Sequence, residues 1–595
     1  MLRADVTNSA APLAVTLPRA TLGAPAKTLA WRRGLVLGLN TVTIVALTLV
    51  MGSLLFSGGV TPARVGMMVA YVITLPWLSI GFWNSTIGAI LIASGRAGAD
   101  APRAPNPAAP LRGRTAIAMA IRNEDTAPCF ARLRAMLADL EEAGLADHFD
   151  IHVLSDTNDP KIAAEEEAAI AAWRATTPRG AQIFYRRRTD NRGYKAGNLE
   201  EFCARTADTY AYFLPLDADS YMSAAAMADL VRTMDESPNL GLLQTLVVGR
   251  PSDALFTRVF QFGMRHGMRT YTAGSAWWTG DCGPYWGHNA IIRMRPFKEA
   301  CALPTLPGKG PLSGPILSHD QVEAVLMRRA GYDVRVLPVE GESFEENPPS
   351  LPDFIRRETR WCQGNMQYFQ LLGMKGLKPV SRVQLALAIL MYLGPPAWMA
   401  FLVFGALTAF EGPAAGFDPL VGLGLFIVIM TMSFAPKLIG LFGILANSAD
   451  TRRYGGRRRI LGGAALELVL STLMAPVIGF ALAVFAVGLL FGRTIKWSAQ
   501  MRESRTVTWR EAARTFWPQT LFGLALGTAL TVAMPSVLPW AAPVLIGLTL
   551  AIPVAVFTAS RRVGALSVRT GLCDIPEDRA PQAPLLRLDG ELARA

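Results

Sequence analysis

The stretch Tyr210–Met222, YAYFLPLDADSYM, decides how the rest of the chain is read. Its apolar run Tyr212-Phe213-Leu214-Pro215-Leu216 has the content of a buried strand, and it ends in Asp217-Ala218-Asp219. In open α/β sheets, ligands bind beyond the carboxyl ends of the strands. Carboxylates at i and i+2 point the same way on extended backbone. Their hard oxygens suit Mg2+ or Mn2+ held beside phosphates. A lone D-x-D is equally a polar turn, so the surrounding chain has to carry the reading.

Upstream, three more apolar runs each end in polar residues. Thr115–Ile121 is followed by Arg122-Asn123-Glu124-Asp125, and Ile151–Leu154 by Ser155-Asp156-Thr157-Asn158-Asp159. Ile183–Tyr185 is followed by Arg186-Arg187-Arg188 and a loop to Tyr194-Lys195-Ala196-Gly197-Asn198. Helical segments separate the runs, an alternation that predicts a mainly parallel sheet. Neither GxGxxG nor GxxxxGK[ST] occurs, which argues against dinucleotide chemistry and a P-loop ATPase.

The sheet domain is an insert. The chain has 595 residues, 51% hydrophobic and only 17% charged, against about 25% charged in soluble domains. The deficit lies in two apolar tracts, 34–94 and 382–558, whereas 115–380 has soluble composition. The resulting organisation is a flexible tail over 1–30, two membrane helices over 31–94, a cytosolic linker over 95–114, an α/β domain over 115–380, a membrane region over 381–560 and a cytosolic tail over 561–595. Spans are expected at 34–56, 65–93, 382–410, 418–446, 515–534 and 536–558. Residues 461–492 lie between two basic segments, so a Pro-broken hairpin or re-entrant pair around Pro476 is expected, for a total of about eight passes. The basic, Trp509-bearing segment 493–514 reads as an amphipathic gate near the active site. The first 30 residues lack the layout of a signal peptide.

The net charge of +12 comes largely from basic residues beside the spans, the positive-inside pattern. It puts the α/β domain and both termini in the cytosol, and no aromatic-basic module points to nucleic acid. The six cysteines form no CxxC pair and are expected as reduced thiols, without disulfides or zinc.

Asp156, Asp217 and Asp219 fall at the ends of different strands and can converge on one cleft. A nucleotide-sugar needs such a set: one carboxylate for the base or ribose, others to hold a divalent ion on the diphosphate. Lys195 adds a cation. Asp320, in Ser318-His319-Asp320, opens a helix and is either an N-cap or a general base for an acceptor hydroxyl. His319 has no partner at metal-ligand spacing. Arg360 suits phosphate oxygens and Trp361 a sugar face, although their helix also reads as a basic one at the membrane surface. Trp277, Trp278, Tyr285 and Trp286 are either a sugar-lined path or an interfacial belt and core.

Strand-end Asp156, K-A-G-N at Lys195, D-A-D, H-D and R-x-x-R-W occur in order within one insert flanked by spans. This resembles the processive family 2 glycosyltransferases of GT-A fold, such as cellulose and hyaluronan synthases. Two departures stand out. His319 occupies the middle of the T/S-E-D-like triplet, and Arg357 the Gln position of Q-x-x-R-W. With M-A-I-R-N-E-D from Met119, L-S-H-D-Q-V-E-A from Leu317, R-W-C-Q-G-N from Arg360 and G-L-C-D-I-P-E-D from Gly571, the chain is similar to the osmoregulated periplasmic glucan glucosyltransferases, the OpgH (MdoH) family, from about residue 30 to 585.

The resemblance implies a polytopic α-helical protein of the bacterial inner membrane with an inserted cytosolic GT-A domain. It implies synthesis of a β-1,2-glucan from UDP-glucose by an inverting displacement, probed against another linkage such as β-1,4 and against a non-catalytic transporter or scaffold. Asp156 and Lys195 would serve the nucleotide, Asp217 and Asp219 the diphosphate and Mg2+ (or Mn2+), and Asp320 would be the base. Arg360 and Trp361 would hold the diphosphate and the acceptor sugar. A periplasmic protein of the OpgG type and acyl carrier protein are the implied partners.

Overall fold

The computed structural model describes residues 24–103, 106, 108–412, 414–495 and 505–594. Most of the expected N-terminal tail and residues 496–504 of the expected gate lie outside them.

Two long apolar helices come first, α1 (Ala26–Leu55) and α2 (Pro62–Ala93). The domain then runs β1 (Thr115–Ile121), α3 (Thr126–Glu142), β2 (Phe149–Ser155), α4 (Pro160–Thr176), β3 (Ile183–Arg187), α5 (Tyr194–Thr206) and β4 (Tyr212–Leu216). It continues through β5 (Tyr221–Met222), α6 (Ala224–Asp235), β6 (Leu240–Gly249), α7 (Leu255–Thr279), β7 (Ala290–Arg293), α8 (Met294–Ala300), α9 (Asp320–Arg329), β8 (Asp333–Glu345) and α10 (Leu351–Met366). The strand order is β3-β2-β1-β4-β7-β6-β8-β5. β1 pairs in parallel with β2 and β4, and β2 with β3, so all four strands read from polar-ended runs point the same way. Beyond β4 the sheet is mixed, because β7 runs antiparallel to both β4 and β6. The mainly parallel expectation holds, since β6 and β8 pair in parallel and run the same way as β1–β4, and only β7 and β5 are reversed.

Both faces of the parallel half are covered, which is why β2 and β4 are buried along their whole length. One apolar core lies between the sheet and α3 and α6, and it includes Ile117, Phe130, Leu133, Val153 and Leu214. The second, on the other face, joins Phe202, Phe213, Ile292 and Val325 to Cys362, Leu385 and Leu482. That second core already contains residues of the membrane region, so the α/β insert and the apolar helices share side chains.

The membrane region comprises α11 (Pro379–Glu411), α12 (Pro419–Ala446), α13 (Ser448–Arg453), α14 (Arg457–Leu490), α15 (Trp509–Ala533), α16 (Leu538–Thr549) and α17 (Ala551–Thr558). Five helices, α1, α2, α11, α12 and α14, are long and apolar enough to cross a membrane. Residues 535–558 form a bent pair, turned by 63°, that makes a sixth candidate. By length and composition this is five or six candidates among the described residues, not eight. The expected hairpin at 461–492 is one uninterrupted helix of 34 residues, with Pro476 inside it. Proline inside a membrane helix is tolerated where neighbouring groups re-satisfy the freed backbone. Both ends of α14 nevertheless meet the α/β domain or the segment packed on it. A Cβ on Gly463 would touch Cys573 and Phe262, and just past the C-terminal end Ile495 N donates to Gln363 Oε1 at 3.0 Å.

The wedge between the two parts is α7. A Cβ on Gly274 would lie 2.0 Å from the Asn84 carbonyl, and one on Gly88 only 1.8 Å from that of Thr270. Glycine at both positions lets α7 and α2 cross backbone to backbone, the packing that small residues permit between membrane helices.

The segment read as a C-terminal tail is folded: α18 (Arg561–Thr570), α19 (Pro576–Arg579) and α20 (Ala583–Arg594). Buried Arg258 of α7 binds Asp574 and Asp578, and buried Arg265 binds Glu577 and Glu340. α20 lies on α3 through Arg587–Asp139 (2.7 Å) and Arg134–Glu591 (3.1 Å). All six cysteines are unpaired and buried.

Candidate active site

A cavity of about 1440 Å3 opens at the carboxyl ends of β1, β2 and β4. Asp156, Lys195, Asp217, Asp219, Asp320, Arg360 and Trp361 all line it. The sequence-level site residues are thus brought together without exception.

The parallel register delivers the carboxylates: Ile121 pairs with Ser155, and Met119 with Leu216, so the residues following both strands emerge on one edge. Asp156 is buried and accepts from Arg188 at 2.7 Å and 2.8 Å, a bidentate pair. The loop behind it is held by Glu166, which is fully buried and accepts from Ser155, Thr157 and Tyr185. Lys195, in the first turn of α5, donates to Asp217 and to the Gly287 carbonyl at 2.7 Å. Asp219 is 9% exposed, and Ser220 next to it contacts His288, whose other nitrogen is 3.4 Å from Glu345.

Asp320 begins α9, half-buried, across Gly287 from Lys195. A Cβ on Gly287 would be 3.6 Å from Asp320 Cβ and 3.9 Å from Lys195 Nζ. Burial raises the Asp320 carboxyl above the usual carboxylate range, with His319 and Lys195 partly offsetting it. His319 Nδ1 lies 2.9 Å from Glu323 one turn on, within the same helix. Burial opposes the charged imidazole, but the adjoining Glu323 carboxylate outweighs it and His319 is raised. Through Nδ1, His319 ties the start of α9 to its second turn. No group of three potential ligands occurs among the described residues.

α10 and the turn that follows it, Gln367–Gln370, clamp the loop that carries Asp320. Gln367 accepts from Leu317 N at 2.8 Å and donates to the Pro315 carbonyl at 3.0 Å, while Tyr368 donates to that of Ser318 at 2.8 Å. Gly364 is required, because a Cβ there would lie 2.2 Å from Ser318 Oγ. Arg360 is buried to 9% exposure, whereas Trp361 is 44% exposed and open to the cavity. Among the other aromatics, Trp278 and Trp286 line the cavity. Tyr285 is core, and Trp277 packs on Trp31 under Arg32. The sugar-path reading of those two is therefore replaced by packing.

Sequence reasoning missed Arg188, Glu166, His288 and Gly287. The R-R-R run and G-H-N were visible, but nothing local says which arginine faces Asp156. For a divalent ion, Asp217 and Asp219 supply two oxygen-bearing side chains on the cavity wall. That donor set fits Mg2+ or Mn2+, which take one or two carboxylates and complete their shell with phosphates and water.

The family profile described as Glycosyl transferase family group 2 matches residues 212–556, and that described as Glycosyl transferase family 2 matches 116–300. Glucans biosynthesis glucosyltransferase H of Xanthomonas campestris pv. campestris is 37% identical over 578 residues, 94% of this chain and 88% of its own length. The protein of that name from Vibrio cholerae is 36% identical, covering 93% of this chain and 78% of its own. Among solved structures, the mannosyltransferase PcManGT of Pyrobaculum calidifontis, in complex with GDP-Man and Mn2+, aligns at 18% identity and TM-score 0.38, covering 62% of this chain and 99% of its own. The chain is a membrane-embedded hexosyltransferase, and it belongs to the glucans biosynthesis glucosyltransferase H family of family 2 glycosyltransferases.

Proposed function

We propose that the enzyme polymerises glucose from UDP-glucose into a β-1,2-linked glucan at the cytosolic face of the inner membrane and passes the product towards the periplasm. The observation that carries this reading is the position of Asp320, facing the Lys195–Asp217 pair across Gly287 in one cavity.

Asp156 and the cavity edge it stands on receive the nucleotide. Lys195 and Arg360 meet the diphosphate as fixed cations. A divalent ion, when bound at Asp217 and Asp219, neutralises charge on the departing UDP. Trp361 stacks the acceptor sugar. Asp320 takes the proton of the acceptor hydroxyl as its oxygen bonds to the anomeric carbon, and the bond to the UDP oxygen breaks on the opposite face. One displacement converts an α-linked donor to a β-glucoside with no covalent intermediate. A base raised by burial is better matched to this proton than an ordinary carboxylate.

The orientation rests on the positive-inside distribution and on α20, which ties the C-terminus to the catalytic domain. At the other end of the helices, Thr61, Arg64 and Glu411 join the turns that would face the periplasm.

The test is purified full chain with labelled UDP-glucose and Mg2+, followed by linkage analysis. A β-1,2 polymer is expected. A polymer of another linkage would discard the linkage but keep the catalytic assignments, and no transfer from UDP-glucose would discard the donor.

A further inference from the structure

Two ionisable residues sit inside the apolar helices. Lys437 of α12 binds Glu467 of α14 and donates to Ser471 Oγ at 2.9 Å. Lys437 and Glu467 lie roughly 15 Å, at 1.5 Å per residue, from the C-terminal end of α12 at Ala446 and the N-terminal end of α14 at Arg457. Ionisable groups at such depth are costly and cluster on substrate pathways. All three residues line the same cavity as Asp217, Asp320 and Trp361.

We propose that Lys437, Glu467 and Ser471 form a binding subsite for the nascent polyhydroxyl chain, an inference that rests on the glucan-synthase reading. The cavity, about 1440 Å3, exceeds the roughly 300–1,000 Å3 of an ordinary ligand pocket. It therefore has room for acceptor sugars beyond the donor. Its lining is aromatic and small-sided, with Phe260, Gly267, Tyr271 and Ser275 of α7. Flat rings with gaps between them suit a sugar chain, which offers apolar faces and hydroxyl edges. The pair supplies what those hydroxyls need inside a lipid-surrounded region, namely a cationic donor and an anionic acceptor.

The carboxylate also packs against a third helix. Gly263 of α7 faces Glu467, and a Cβ there would stand 2.5 Å from Glu467 Oε1.

The experiment introduces Ser471→Cys in the full-length protein, whose six native thiols are all buried. Alkylation by a small neutral maleimide is followed in proteoliposomes supplied with UDP-glucose and Mg2+. Occupancy by product is expected to slow labelling by about tenfold relative to UDP alone. Glucan formation with unchanged labelling, repeated at Ala475→Cys one turn on, would overturn the subsite. Absence of any glucan or UDP release would instead overturn the functional reading beneath it. As a further check, Lys437→Met with Glu467→Met removes the pair without leaving a lone buried charge. Glucans several-fold shorter than wild type are expected, and wild-type lengths would assign the pair to helix packing.

Discussion

Arg357 lies over the indole of Trp361, its guanidinium carbon 4.5 Å from the ring centroid. The same cation reaches Phe354 at 5.1 Å and Phe260 at 5.7 Å. The cation holds this cavity-lining ring in one orientation. A cation–π contact is worth about 0.5–1 kcal/mol at exposed sites. Arg357→Gln is therefore expected to lower kcat/KM for elongation by roughly 2–5-fold, with UDP-glucose binding little changed. Steady-state elongation kinetics beside a donor titration check this.

Asp320→Asn should remove the base while keeping the shape of the site. A positioned base contributes about 10²–10⁴-fold, and transfer should fall by that order while UDP-glucose still binds. Because burial raises the Asp320 carboxyl, the ionised form needed for catalysis is lost on acidification sooner than for an ordinary carboxylate, whose pKa is about 3.9. The acid limb of the wild-type rate profile should therefore sit above that value. A limb at or below it would remove Asp320 from the role.

His319 is raised in the folded protein by Glu323. Its contribution to stability is full below the unfolded value of about 6.5 and is lost as pH rises through the higher folded value. His319→Gln should thus cost the most stability below pH about 6.5, and the gap in Tm from wild type should narrow at alkaline pH. Melting curves across that window decide the matter, and a gap independent of pH would show that the imidazole's charge contributes nothing.

Arg188→Ala leaves the buried Asp156 carboxylate without its bidentate partner. Breaking a buried pair from one side costs about 3–5 kcal/mol, so a lowered Tm is expected. Adding Asp156→Asn should restore part of it, and UDP-glucose binding should remain impaired in both.

Asp219→Ala is expected to weaken UDP-glucose binding in the presence of Mg2+ far more than in its absence. Calorimetric titrations with and without the ion measure the difference. An unchanged metal dependence would take Asp219 out of the ion's shell.

Much of the site was legible because each strand carries its own punctuation. Asp156 and Asp217 follow apolar runs that could only be buried strands, and parallel register then brings them to one edge. What was hidden depends on distant partners. The four residues Ala290–Arg293 are too short to announce an antiparallel strand, and the sheet turns mixed at that point. Pro476 looks like a break in one dimension, whereas packing on α11 and α16 keeps α14 whole. Asp574, Glu577 and Asp578 fall in what reads as a cytosolic tail, since their arginines lie more than 300 residues earlier on α7.

The last helix carries a consequence for biosynthesis. α20 covers α3, and its Pro584 carbonyl accepts from Tyr221. At about 5–20 residues per second, a ribosome needs roughly twenty seconds to a minute and a half to travel from the end of α3 to the start of α20. Throughout that interval the half-made enzyme displays an uncovered face while its later helices are still entering the bilayer. Completion of the catalytic domain therefore waits on successful membrane insertion, and a chain stalled in the bilayer never acquires its finished outer layer.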